Sequence, residues 1–298
     1  MRIFLTGATG SIGSSVLQAL VDGGHEVTCP VRTLSKVANA NSNPHIHYVQ
    51  INDALDDFTK FNQLAQGFPC IIHTGFLNGP DHVEMETNVT RGLLEAAKTQ
   101  SANEKVVFVF TTGCLVLGEY DHVVGDSEVT TANCPEFYKV RLAHEELALS
   151  YTSENLAVSV LRPCWVYGGS HVDGWVAASK RHGKILVPEK RGRLTFIHKE
   201  DLGTIYRLIA EHAGRGFYAG SEGPGPEVEE LIELVKRLTG VETVEKVQNV
   251  MAHVHEYTYA LFGLSVYCPI DSTRAKTELG FVPKYNFVRD AERVLRLD

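Results

Sequence analysis

The opening stretch, Met1-Arg-Ile-Phe-Leu-Thr6-Gly7-Ala-Thr-Gly10-Ser-Ile-Gly13, constrains the fold more than any other part of the chain. Ile3 to Leu5 reads as a short apolar strand. Three glycines follow at three-residue spacing, and Ser14 to Val21 carries an apolar stripe of helical period. In a strand, glycine turn and helix of this kind the glycines let the backbone approach a pyrophosphate, and the helix end offers unpaired N–H groups and a positive dipole. The expected ligand is a dinucleotide, held by Gly7, Thr9, Gly10, Ser11, Ile12 and Gly13. An ordinary βα turn is the simpler alternative, but the flanking strand and helix supply the context that the motif requires.

The same alternation continues. His25 to Arg32 reads as a second strand, and its end is where such folds choose a cofactor: an acidic residue binds the ribose 2′-hydroxyl, an arginine accommodates a 2′-phosphate. Arg32 stands there with Lys36 one turn on, which favours NADP(H) over NAD(H); a solvated arginine at a strand end is the alternative. His45 to Ile51 is a third strand, followed by Asn52, Asp53 and Ala54 and a helical stretch with Phe58, Phe61 and Leu64. Pro69 to Gly75 is a fourth strand, Val83 to Ala97 a long helix, and Lys105 to Thr112 a fifth strand whose unbroken apolar run suits a parallel sheet covered on both faces. The expected fold class is α/β, a doubly wound, Rossmann-like parallel sheet with a smaller C-terminal lobe.

At 298 residues and 44% hydrophobic content the chain can bury a large core. Residues 1–163 and 190–222 are expected to form the dinucleotide-binding domain, and residues 164–189 and 223–298 the substrate lobe, with an amphipathic helix from Val228 to Leu238 capped by Gly240. A net charge of −8 without a long basic run argues against nucleic acid or an anionic membrane as partner. The chain opens as a strand rather than a signal peptide, and no apolar run reaches the roughly 20 residues of a membrane span, so the cytoplasm is the expected location. Six scattered cysteines without a Cys-x-x-Cys read as buried free thiols, and His45-x-His47 and His253-x-His255 lack a third ligand, so no metal site is expected.

Several segments, in order, carry a family resemblance: Thr6-Gly7-x-x-Gly10-x-x-Gly13, Asn52-Asp53, His73-Thr74-Gly75, Asn88, Leu161-Arg-Pro-Cys-Trp-Val-Tyr-Gly168, Phe196-Ile-His198-Lys-Glu-Asp201, and Ser272 to Phe281. Together they resemble the extended short-chain dehydrogenases/reductases, the NAD(P)-dependent epimerase/dehydratase-like proteins, from end to end. The resemblance implies Asp53 and Ala54 beside an adenine, and His73, Thr74 and Gly75 along the dinucleotide. It further implies Pro163 and Val166 near the nicotinamide, a small-molecule substrate, and a monomer or homodimer.

That family usually works with a Ser or Thr, a Tyr and a Lys, the last two four apart on one helical face so that the ammonium depresses the phenol's pKa. Here Phe137 falls on the tyrosine position and Arg141 on the lysine position. Tyr138 is displaced by one residue, about 100° around a helix, and Leu142 is its neighbour four residues on. Gly113 falls on the hydroxyl position with Thr112 just before it. The candidate catalytic residues are therefore Thr112, Tyr138 and Arg141. Arg141 is expected to orient the cofactor, with a surface ion pair to Glu145 as the alternative. Tyr120 and Tyr167 are further candidate acids, against packed aromatics as the alternative.

Trp165, His171 and Trp175 suggest a mainly apolar substrate pocket, although Arg181, Arg191 and Arg193 nearby are able to bind an anion. The leading expectation is an NADP(H)-dependent oxidoreductase acting on a small, mainly apolar carbonyl or alcohol with a non-standard proton donor. Two alternatives stand beside it: a non-catalytic NADP(H)-binding redox sensor, and a non-redox isomerase or epimerase-like enzyme.

Overall fold

The structure is a computed structural model that describes residues 1–37, 43–51, 58–75, 83–126, 132–169, 171–190 and 192–295. In chain order the strands and helices begin with β1 (Arg2–Thr6), α1 (Ser11–Asp22), β2 (Glu26–Val31), β3 (Ile46–Gln50), α2 (Phe58–Ala65), β4 (Cys70–His73), α3 (Val83–Ser101) and β5 (Val106–Thr111). They continue through β6 (Val124–Gly125), α4 (Lys139–Leu149), β7 (Leu156–Pro163), β8 (Trp165–Tyr167), α5 (His171–His182), β9 (Ile185–Pro188), β10 (Phe196–His198), α6 (Lys199–His212) and β11 (Gly216–Gly220). The last are α7 (Val228–Thr239), β12 (Val244–Val247), α8 (Val254–Gly263), β13 (Ile270–Asp271), α9 (Thr273–Leu279) and α10 (Phe287–Val294).

The chain divides into two compact units, the first comprising residues 1–112, 137–161 and 202–218, the second residues 113–136, 162–201 and 219–298. Its central sheet has the strand order β11-β7-β5-β4-β1-β2-β3, with parallel ladders from β3 through β7. This is the expected doubly wound α/β arrangement. From β1 the chain winds first towards β2 and β3, then returns past β1 to β4 and β5. The carboxyl ends of β1 and β4 therefore flank the switch point, where open parallel sheets bind their ligands. Every residue of β5 is buried, as its apolar run requires. Phe4, Phe61, Ile71, Leu93, Phe108 and Val158 form the centre of the first unit's core.

The second unit is built differently, on two-stranded parallel ladders β8·β10, β9·β12 and β6·β13. Helix α7 ends as expected on Gly240, left-handed at φ +72°. Trp175 is 1% exposed and sits in this unit's core, its indole N–H donating to the Leu186 carbonyl at 3.2 Å. That corrects the expectation of a Trp175-lined substrate pocket: Trp175 packs inward with Leu231 and Leu261. Three buried or half-buried carboxylates organise the segment before α10. Asp201 accepts from the amides of Lys284 and Tyr285, Glu222 from that of Phe287, and Asp290 from that of Asn286. Among the described residues no helix is long and apolar enough to cross a membrane, and all six cysteines are buried.

Candidate functional site

At the switch point the backbone closes on itself. Gly7 has φ +74°, a conformation side chains rarely adopt, and a Cβ there would stand 2.6 Å from the Gly75 amide nitrogen. A Cβ on Gly13 would overlap the Gly7 carbonyl oxygen. The turn is held by the Gly10 amide donating to the Gly7 carbonyl at 2.9 Å. Helix α1 begins on Gly10 with no side-chain cap and no acidic residue in its first turn. Thr9, Gly10 and Ser11 are exposed, and Ile12 half-buried, around this open helix end. A bare, positive helix terminus beside a cradle too narrow for any Cβ fits a pyrophosphate.

The β4 end completes the cradle. Thr74 donates its hydroxyl to the Thr6 carbonyl at 2.8 Å, and the Gly75 amide donates to the Thr6 hydroxyl oxygen at 3.4 Å. The Thr6 hydroxyl also meets His73 Nδ1 at 2.6 Å. Burial, then the Arg141 charge, pushes the His73 imidazole down to about 3, so the ring is neutral near pH 7. Arg32 follows β2 directly and is exposed. Lys36 lies at the end of a short 3₁₀ turn; Asp53 and Ala54 lie outside the described residues.

Arg141 is only 7% exposed. Its guanidinium pairs with Glu86 of α3, donates to the Thr111 carbonyl at 2.5 Å and lies over the Phe110 ring. Burial lowers it to about 10 while the Glu145 charge opposes the shift. Sequence spacing cannot show this depth, and in place of a surface ion pair Arg141 makes a buried pair with Glu86. Beside it, His144 Nε2 meets the Thr87 hydroxyl at 2.8 Å, and burial and Arg141 push its imidazole down to about 4.

Thr112, half-buried just past β5, donates its hydroxyl to Glu145 Oε1 at 2.5 Å, and its amide donates to the Leu161 carbonyl at 3.0 Å. Glu145 is 0% exposed. Tyr138 stands at the start of α4, half-buried, its ring edge-on to Phe137 at 5.1 Å between centroids. Phe137 is 60% exposed. The structure thus brings Thr112 and Arg141 into one buried polar cluster with Glu86 and Glu145. Sequence reading missed Glu86 because an acid in the first turn of α3 looks like ordinary helix-start polarity.

In the second unit, Pro163 ends β7 and Val166 is half-buried in β8. Tyr167 is fully buried and donates to Glu222 at 2.9 Å, which makes it a packed aromatic rather than an exposed acid. Burial pushes the Glu222 carboxyl up to about 7. Tyr120 lines a cleft of about 680 Å³ with Glu119, Asp121, Asn133, Lys190 and Tyr267. Among the described residues no group of three or more His, Cys, Asp or Glu is placed to hold a metal ion.

Sheet order and glycine cradle together define a nucleotide-binding α/β fold. The profile of the NAD dependent epimerase/dehydratase family matches residues 3–219, and the chain belongs to that family. An uncharacterized protein of Saccharomyces cerevisiae is 28% identical over 231 residues, 72% of each chain. The 3-diazoavenalumate denitrifying reductase of a Streptomyces species is 26% identical over 308 residues, 97% of this chain and 98% of that one. Among solved structures, a double mutant of dTDP-glucose 4,6-dehydratase from Streptomyces venezuelae with NAD bound superposes with a TM-score of 0.78 at 19% identity, covering 100% of this chain and 96% of that one.

Proposed function

We propose that the chain binds NADP(H) in preference to NAD(H) and transfers hydride between it and a small, mainly apolar carbonyl or alcohol. The observation that carries this reading is the glycine cradle at the switch point, followed after β2 by the exposed Arg32 where a cofactor with a free 2′-hydroxyl would want a carboxylate. The amides of Ser11, Ile12 and Gly13 take the pyrophosphate, with Gly7, Thr9 and Gly10 shaping the turn. Arg32 and Lys36 take the 2′-phosphate. Asp53 and Ala54 take the adenine, His73, Thr74 and Gly75 run along the dinucleotide, and Pro163 and Val166 face the nicotinamide. Arg141 acts from below, as a buried cation that fixes the end of β5.

Phe137 supports an apolar substrate: a ring 60% exposed, paired with Tyr138, is surface for an aromatic or aliphatic partner. A full-length relative named as a reductase supports the redox reading over an epimerase-like one. When bound, the dihydronicotinamide supplies the hydride; the chain supplies orientation and the proton. The test is cofactor oxidation across a panel of aromatic aldehydes, aryl ketones and quinones. NADPH is expected to be consumed with at least one of them, and faster than NADH. Consumption of neither cofactor with any compound, together with tight binding of a nucleotide sugar such as UDP-glucose, would contradict the proposal.

A further inference from the structure

We infer that Trp165 recognises the substrate, taking an aromatic ring against its indole and an oxygen on its indole N–H. The inference rests on the reductase reading above and narrows its carbonyl or alcohol to one that carries an oxygen-bearing aryl group.

The chain has two tryptophans, and their indole N–H groups differ. Trp175 is 1% exposed, and its N–H donates to the Leu186 carbonyl at 3.2 Å. Trp165 is half-buried, and among the described residues its N–H meets no acceptor and stays open to solvent. A covered tryptophan normally finds a partner for that donor. A ring with one side packed and its donor left over is the pattern of a binding surface, apolar at one end and wet at the other.

The packed side is held in place. Trp165 pairs in register with Phe196 of β10, and its amide donates to the Thr195 carbonyl at 2.9 Å. Against its six-membered ring lies Gly263, the last residue of α8. A Cβ on Gly263 would stand 2.2 Å from Trp165 Cζ2 and 2.7 Å from Leu194 Cδ2, so only a glycine lets the helix end come this close. A ligand that meets a ring already fixed gives up little side-chain entropy on binding.

Helix α8 reaches Gly263 through a strained turn. Thr258 has φ +63° and ψ 170°, a region nearly closed to β-branched residues, and it divides the helix. Its methyl group stands 2.6 Å from where a Cβ on Gly174 of α5 would be, and its hydroxyl accepts from the Ala260 amide at 3.3 Å. Strain of this kind persists where the surroundings impose it, and it concentrates at ligand sites. The residues after the turn carry Gly263 against the indole. Trp165, Thr258, Gly174 and Gly263 all belong to the second compact unit.

The chemistry of the ligand follows from these two features. An indole favours another aromatic ring beyond the area that the two bury. Its N–H donates and never accepts, so it selects an oxygen on that ring over an ammonium.

Kinetics with NADPH on 4-hydroxybenzaldehyde and on butanal give the first test. Trp165→Phe keeps a ring and removes the N–H, so KM for the aryl aldehyde is expected to rise about 3- to 10-fold. Trp165→Ala removes both, and the expected rise is about 10- to 100-fold with little change in kcat. The preference for the aryl aldehyde over butanal should fall by the same factors. An unchanged preference, with both aldehydes losing kcat alike, is what a merely structural tryptophan gives and would overturn the inference. A second readout needs no turnover, because NADPH and an alcohol are both reduced and do not react. Titrating 4-hydroxybenzyl alcohol into the protein with NADPH should shift the Trp165 indole N–H resonance and leave that of Trp175 in place, Trp165→Phe supplying the assignment. A Trp165 resonance that stays in place at every concentration overturns the inference even if aldehydes are reduced. A shifted resonance in a protein that reduces no aldehyde counts against the reductase reading alone.

Discussion

Replacing Gly13 by alanine is expected to weaken NADPH binding at least about 100-fold, about 2.7 kcal/mol. The added Cβ would overlap the Gly7 carbonyl oxygen and stand 2.9 Å from the Thr74 hydroxyl. Neither neighbour is free to yield: Gly7 is pinned against Gly75, and Thr74 is bonded to the Thr6 carbonyl. Helix α1 must move outward, taking the amides of Ser11 and Ile12 away from the turn. Ser14→Ala is the control, since Ser14 is exposed and its hydroxyl bonds only locally, to the Ser11 carbonyl. Calorimetric titration checks both; unchanged affinity in Gly13→Ala would mean that the dinucleotide does not sit on this turn.

The second large effect belongs to the buried pair beneath β5. Arg141→Ala leaves Glu86, 4% exposed, without its guanidinium, and the expected cost is about 3–5 kcal/mol of unfolding free energy. Glu86→Ala should cost a similar amount by stranding Arg141. The double replacement Arg141→Met with Glu86→Leu should lose far less than the sum, because it removes both charges and keeps apolar volume against Phe110. Urea unfolding followed by circular dichroism gives the three values. Single-variant losses below about 1 kcal/mol, the range of exposed pairs, would show that the pair is solvated.

What was legible in the sequence is what depends on local chemistry. The glycine turn, the apolar run of β5 and the Gly240 cap of α7 each follow from backbone freedom or hydrophobic period, so their places could be read directly. Depth could not. Arg141 and Glu86 lie 55 positions apart, and no local pattern shows that a central sheet covers both. Trp175 and Leu186 lie 11 positions apart, and nothing local shows that the indole donates to the Leu186 carbonyl. Residues 113–136 belong to the second compact unit. There β6 pairs with β13, and Asp126 accepts from the Arg274 amide at 3.0 Å. Both are long-range contacts without a signature in the strands themselves.

If the cradle between β1 and β4 holds a dinucleotide whose 2′-phosphate meets Arg32, the two nicotinamide cofactors should bind with different affinities. Titrating NADPH and NADH in turn into the wild type and into Arg32→Ala tests it directly. Tight NADPH binding, weaker NADH binding and loss of the difference in the variant are expected, as an Arg32 that contacts only the extra phosphate would give. Equal affinity for both nucleotides, unchanged by the substitution, would contradict the NADP(H) assignment, and no binding of either would contradict the site itself.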